Sequence, residues 1–261
     1  SGFTLASADL SWTENGSATL WDVEYGAPGF TQGTGTVVSA GSNPYTLGGL
    51  AAGTSYDYYV RADCGGGLTS AYVGPFAFTT DYCTAPIAAY PYNEDFEGGA
   101  GGWFDNRSST AGVWALGTPA QFNLNAAASG VNAWMTDLAA NYPTNLDAYV
   151  ENCFDFSSLT APELSLGVNY DTEGGWDGSN VQYSEDAGAT WSVLGGDGDP
   201  NNWYNDTDVD GLNNNEDGWS GASGGWLTAR HEMVAQAGLA DVRIRVAFGS
   251  DGSGVDEGMA F

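Results

Sequence analysis

The chain contains no lysine. Its cations are five arginines, Arg61, Arg107, Arg230, Arg243 and Arg245, set against 33 carboxylates for a formal net charge of −28. Nucleic acid and anionic membrane both need cationic patches, so this balance argues against either as partner. A phosphate loop ending in Gly-Lys is impossible. Histidine is nearly absent, with His231 alone, and His231-Glu232 runs on into Met-Val-Ala, so H-E-x-x-H does not occur. A Ser-His-Asp site would have to use that one His, and no G-x-S-x-G precedes a helix. No apolar run approaches the ~20 residues of a membrane span. Three cysteines are an odd count, and none forms a C-x-x-C. These absences predict a protein that is not an enzyme. They also leave at least one cysteine free or paired elsewhere.

What is present points to β-structure. Glycine (39), tyrosine (14) and tryptophan (10) predict many turns between aromatic-rich strands. In residues 1–80 short alternating runs, ADLSW, LWDVEYG, SYDYYVRA and PFAFTT, are separated by Glu14-Asn15-Gly16 and Gly65-Gly66-Gly67. This stretch resembles a fibronectin type III domain: Trp12, then WDVEYG, then LGGLAAGTSYDYYVRA and a last strand PFAFTT. Leu50 followed by Tyr56 matches the tyrosine corner of that family. The resemblance implies a sandwich used as a spacer or adhesive module, here lacking all or part of its first strand. Residues 81–91 read as a short linker with Pro86 and Pro91.

Residues 92–261 read as a second all-β domain, a two-sheet jelly roll. Four strings there occur in order: YNEDFEGGAGGW, CFDFSSL, YDTEGGWDGSNVQYSEDAGATW, and SGGWLTARHEM leading to VRIRVAFGSDGSGVDEGMAF. They resemble the MAM-like modules of secreted Bacteroidota proteins, which usually continue after the last Phe with one more strand. The resemblance implies a calcium-stabilised sandwich in surface or secreted proteins, often multi-module and often exported by the type IX system. Within it Ser184–Trp191 fits the Asp-box pattern S-x-D-x-G-x-T-W. There Asp186 would accept backbone N–H groups across a turn, Gly188 would supply positive φ, and Trp191 would pack beneath.

The calcium expectation has its own sequence signal. In Asp206–Asp217, DTDVDGLNNNED, the first, third and fifth residues are Asp206, Asp208 and Asp210, Gly211 is sixth, and Asp217 closes the pattern. That is EF-hand spacing, with the Leu212 carbonyl at the seventh place and Asn214 at the ninth. Ca²⁺ is a hard cation that takes oxygens, and alternate side chains of a tight loop can converge on it. The flanks are poor helix formers, which predicts an EF-like loop on a β scaffold. The alternative is a solvated Asp/Asn loop with no fixed metal. By resemblance to MAM and carbohydrate-binding jelly rolls, a second Ca²⁺ could sit between the first strand and the last loop, with Glu97 its chief side chain. The alternative there is a set of solvated carboxylates.

Trp176 and Trp203 sit among polar and Gly residues and are candidates for stacking on a sugar ring. Cys83 and Cys153 are expected to form a disulfide, as secreted β modules often do. Cys64 and Cys83 would lie at opposite ends of a hairpin, so Cys64 is free or pairs outside this stretch. The sequence therefore predicts two non-catalytic, Ca²⁺-stabilised modules of a larger extracellular or cell-surface protein: an adhesin, stalk or filament segment. The other reading is an accessory carbohydrate-binding region of a secreted hydrolase or peptidase. Partners would be neighbouring modules or copies of the surface protein, or glycan.

Overall fold

A computed structural model describes residues 4, 6–51, 53–83, 85–105, 113–212 and 215–261. The chain divides into two compact units, Ser1–Ala85 and Pro86–Phe261. Among the described residues both are β-structure, and the one helical segment is a single 3₁₀ turn at Val234–Gln236.

The first unit holds β1 (Ser7–Leu10), β2 (Trp21–Gly26), β3 (Thr36–Ala40), β4 (Tyr45–Gly48), β5 (Ser55–Ala62) and β6 (Val73–Thr79). β1 pairs with β4, and the second sheet runs β3-β2-β5-β6, all antiparallel. Period-two alternation sets the faces. Ala8 and Leu10 of β1, Trp21 and Val23 of β2, and Tyr58 and Val60 of β5 are buried in one core. The Ala51 N–H donates to the Tyr56 hydroxyl at 3.0 Å, which is the corner expected from Leu50 and Tyr56. Glu24 is buried as well. Its Oε1 accepts the N–H groups of Gly33 and Gly35 at 2.7 and 2.8 Å and so fixes the loop after β2.

The second unit holds β7 (Phe104–Asp105), β8 (Ala115–Gly117), β9 (Ala133–Met135), β10 (Asp147–Phe154), β11 (Glu163–Asp171) and β12 (Gly178–Ser184). It continues with β13 (Ser192–Val193), β14 (Asp206–Val209), β15 (Glu216–Ser220), β16 (Leu227–Glu232), β17 (Val242–Gly249) and β18 (Gly258–Ala260). One sheet runs β14-β15-β12-β17-β10-β7, with β13 beside β12, and the other β16-β11-β18-β9-β8. Apolar residues of both sheets, among them Val150, Val168, Val181, Ile244, Val246 and Phe248, form one core. β18 lies between β11 and β9, and Phe261 after it packs edge-to-face on Phe96, Trp103 and Trp114. The stretch read as a linker is largely tied down. Asp81 exchanges backbone bonds with Thr4 and Gly53 in the first unit, and Ile87 with Cys153 and Asp155 in the second.

Two cations of the second unit are structural. Arg243 is 1 % exposed beside Asp241. Arg245 lies between the rings of Tyr149 and Trp191, 4.2 and 4.1 Å from their centroids, and donates to Gln182 Oε1. Trp191 belongs to the Ser184–Trp191 hairpin, whose hydrogen bonds follow the expected pattern. Asp186 Oδ1 accepts from Thr190 N–H (2.8 Å), Oδ2 accepts from the Thr190 hydroxyl (2.6 Å), and Gly188 has φ 84°. These donors hold the Asp186 carboxyl down at about 2, below its ordinary 3.8. A depressed folded-state pKa stabilises the hairpin above the ordinary value, and that stability is lost as pH falls through the folded value. Trp191 fluorescence should therefore hold steady down to about pH 4 and change between there and about pH 2. In Asp186→Asn this acid step should be missing.

Candidate metal centre

Three carboxylates converge where the loop after β11 meets the loop after β17. The ligand oxygens of Glu173, Asp177 and Asp251 all lie within 4.8 Å of one another. Sequence places the first two on Thr172–Asp177, TEGGWD, a tight connection between buried strands. The N–H groups of Trp176 and Asp177 both donate to the Glu173 carbonyl, at 3.1 and 2.9 Å, and close the turn. The Thr172 and Ser220 hydroxyls donate to the Asp177 carbonyl at 2.9 and 2.8 Å. Asp177 is 0 % exposed. Its Oδ2 accepts from the Tyr142 hydroxyl and its Oδ1 from the Asp251 N–H, each at 2.7 Å. Burial raises the pKa of the Asp177 carboxyl despite these donors, and the charges of Asp251 and Glu173 push the same way. Burial also raises the pKa of the Tyr142 phenol, which keeps it a proton donor.

Glu173 supplies the observation that separates this cluster from ordinary surface acids. Its Oε2 is buried and has no hydrogen-bond partner. A buried carboxylate oxygen left without a donor is costly. Gly254, at φ 68°, sits so close that a Cβ there would collide with the Glu173 carboxylate. Each pair of ionised carboxylates at such spacing repels by on the order of 3 kcal/mol at an effective dielectric near 20. A hard divalent cation would remove that cost and supply the missing partner. Three carboxylates with water completing the shell suit Ca²⁺, which takes six to eight oxygens in flexible geometry. No nitrogen or sulfur ligand is offered by this group, so the donor set does not favour Zn²⁺.

The described residues at the two ends of the stretch whose spacing predicts calcium form a hairpin. Asp206–Val209 and Glu216–Ser220 pair as an antiparallel hairpin, with Asp206 opposite Gly218 and Val209 opposite Glu216. Along a strand alternate side chains share a face but stand about 6–7 Å apart instead of wrapping round a point. Val209 and Leu212 are buried, while Asp208 and Asp210 are exposed. The Asp206 Oδ1 accepts from Asp208 N–H at 3.3 Å, and Asp217 Oδ2 accepts from Asp197 N–H at 2.8 Å. Asn214 lies outside the described residues. Among the described residues the carboxylates of Asp206, Asp208, Asp210 and Asp217 form no converging group of three. The hairpin instead props up the carboxylate loop. Asp210 N–H and Gly211 N–H donate to the carbonyls of Gly175 and Trp176 at 3.3 and 2.6 Å. Gly211 is needed for closeness, since a Cβ would meet the backbone of Gly249 and Ser250 at 2.8 and 2.7 Å.

Glu97 holds a neighbouring loop. Its Oε1 accepts from Val131 and Asn132 N–H, both at 2.8 Å, and staples that loop to the start of the unit. Of the acids in the last loop, Asp251 belongs to the Glu173–Asp177 cluster. Glu257 accepts from the N–H groups of Phe122, Asn123 and Leu124. The two tryptophans separate cleanly. Trp176, on the carboxylate loop, is 51 % exposed, whereas Trp203 is 2 % exposed. Trp203 packs on Tyr204, Trp219 and His231 and donates its indole N–H to the Leu194 carbonyl at 2.8 Å. It is a core residue and offers no face to a ligand. His231 is held by Trp203 and by Asp199, 3.2 Å from its Nε2. Cys64 is exposed, Cys83 half-buried and Cys153 buried in β10.

No family model matches the chain, and no curated protein does. Among solved structures it is similar to the chitinase ChiA74 from Bacillus thuringiensis, with TM-score 0.25 and 11 % identity, over 100 % of this chain and 26 % of that one. It is also similar to a structure titled as the basis for the promiscuous specificity of carbohydrate-binding modules from the β-sandwich superfamily. There the TM-score is 0.32 and the identity 12 %, over 99 % of this chain and 90 % of that one. The chain thus spans about a quarter of the chitinase it matches. The class is defined by the chain itself: an all-β protein of antiparallel, sandwich-like sheets.

Proposed function

We propose that the chain is a non-catalytic pair of β modules in a secreted or cell-surface protein, stiffened by Ca²⁺ and serving as an adhesin, stalk or filament segment. The observation that carries this reading is the Glu173–Asp177–Asp251 cluster with the buried, unpartnered Glu173 Oε2. Ca²⁺ is abundant outside the cell, where such a site would stay filled and lock the loops after β11 and β17 together. A charge of −28 fits the same setting, since salt screens self-repulsion beyond about 10 Å. Melting the protein with and without a chelator tests the reading. The second unit should respond and the first should not. A Cys83–Cys153 disulfide belongs to this extracellular reading. Peptide mapping without reductant should recover the two cysteines in one linked fragment, and separate thiol peptides would count against it.

One observation favours the second reading, an accessory carbohydrate-binding region. Trp176 is half-exposed on the very loop that carries Glu173 and Asp177. A planar ring held this way can stack on the C–H face of a neutral sugar. Acidic neighbours would repel anionic glycans. On an array of neutral glycans, Trp176→Ala should lose whatever binding the wild type shows while melting unchanged. Binding that survives the substitution would place any sugar site elsewhere.

A further inference from the structure

The connection from β8 to β9 carries a second exposed ring. Phe122 is 86 % exposed, more than any other large apolar side chain among the described residues. Its backbone is held firmly all the same. The Glu257 carboxylate accepts the N–H groups of Phe122, Asn123 and Leu124 at 3.1, 2.8 and 2.7 Å. The Asn125 side-chain amide donates to the Phe122 carbonyl at 2.7 Å, and that of Gln121 to the carbonyls of Asp137, Ala140 and Glu257. Leu124 is buried and packs with Met135 and Ala260. The residues on either side are thus fixed, and the phenyl ring is left in water. A ring set in place beforehand loses little further freedom when it meets a ligand.

This connection and the turn that bears Trp176 are anchored at neighbouring strand ends. Asp171 ends β11 opposite Gly258, which opens β18. Trp176 follows Asp171 by five residues, Glu257 directly precedes Gly258, and the Asn123 side-chain amide donates to Asp171 Oδ2 at 2.7 Å. Five residues reach at most about 18 Å. The two rings nevertheless lean on different sheets. Met135 and Ala260, beneath Leu124, alternate with the core residues Trp134 and Met259 and so face outward from their sheet. The Trp176 carbonyl accepts from the Gly211 N–H at 2.6 Å, in the connection between β14 and β15 of the other sheet. Stacked sheets lie about 10 Å apart, so a single sugar does not touch both rings, whereas a short chain of sugars does.

We propose that Phe122 and Trp176 are the two ends of one binding site for a neutral oligosaccharide. The proposal rests on the carbohydrate-binding reading of Trp176 and adds to it a second contact residue and the length of the ligand. The surroundings of Phe122 favour sugar over another protein. A protein contact is built on a contiguous apolar centre. Neither the β8–β9 connection nor the Trp176 turn carries another exposed large apolar side chain. Phe122 stands instead beside Asn123 and Asn125, both exposed, and Asn123 is bonded to Asp171. Amide and carboxylate groups of this kind suit sugar hydroxyls. The charges of Asp171 and Glu173 disfavour an anionic chain.

The test titrates the full chain by calorimetry with neutral oligomers of glucose, mannose, galactose and N-acetylglucosamine, from disaccharide to hexasaccharide. In the best-bound series affinity should rise about tenfold with length. Phe122→Ala should melt as the wild type does, bind the disaccharide unchanged and lose that rise. Phe122→Trp should keep the rise, and Phe122→Leu, apolar but not planar, should lose it. Trp176→Ala should lose binding at every length. Affinity independent of length, a rise that survives Phe122→Ala, or a rise kept by Phe122→Leu would overturn the proposal and leave the reading of Trp176 standing. A wild type that binds none of the oligomers would overturn both.

Discussion

Removing calcium should lower the melting temperature of the second unit by roughly 5–10 °C and leave the first unit where it was. A ligand present at a hundred times its dissociation constant stabilises by about 2.7 kcal/mol, and a domain of this size shifts by about 2–4 °C per kcal/mol. The effect is assigned to one place. Without the cation, Glu173, Asp177 and Asp251 face one another at short range and Glu173 Oε2 lacks a partner. Differential scanning calorimetry with chelator, and again after excess Ca²⁺ is restored, measures it. Mg²⁺ should restore less, because it demands near-ideal octahedral geometry and gives up its water reluctantly.

Trp203→Ala is expected to destabilise the second unit by about 3–5 kcal/mol, the range for emptying a buried large aromatic site. Its ring contacts Tyr204, Trp219 and His231, so the cavity would open in the middle of an aromatic cluster. The Leu194 carbonyl would also lose its donor. Chemical denaturation of wild type and variant gives the number. Trp176→Ala should change stability by far less, because its ring is half in water. The pair of variants thus distinguishes a core tryptophan from a surface one in residues that look alike in sequence.

That contrast shows what the sequence could and could not convey. Strands were legible because alternation such as Ala8/Leu10 or Val181 and its neighbours is a local property. The Ser184–Trp191 turn and the Tyr56 corner were legible because each is closed by residues a few positions apart. The carboxylate cluster was not, since Asp251 comes to Asp177 only when β17 pairs with β12, and that register joins residues far apart in the chain. At Asp206–Asp217 the EF-hand spacing coincides with a second local signal. Val209 and Leu212 are buried, and burying them selects a hairpin over a wrapped loop. A local cue was present in TEGGWD, where two acids four apart flank Gly-Gly, but nothing local says that the turn faces a third carboxylate. The sites of Trp176 and Trp203 differ only in what the fold brings over them.

Calcium titration by calorimetry on three proteins tests the central claim most directly. Wild type and Asp208→Asn should bind Ca²⁺ alike, and the Glu173→Gln/Asp251→Asn double variant should lose the heat of binding while remaining folded by circular dichroism. Binding that persists in the folded double variant, or that vanishes in Asp208→Asn, would contradict a cation held between β11 and β17.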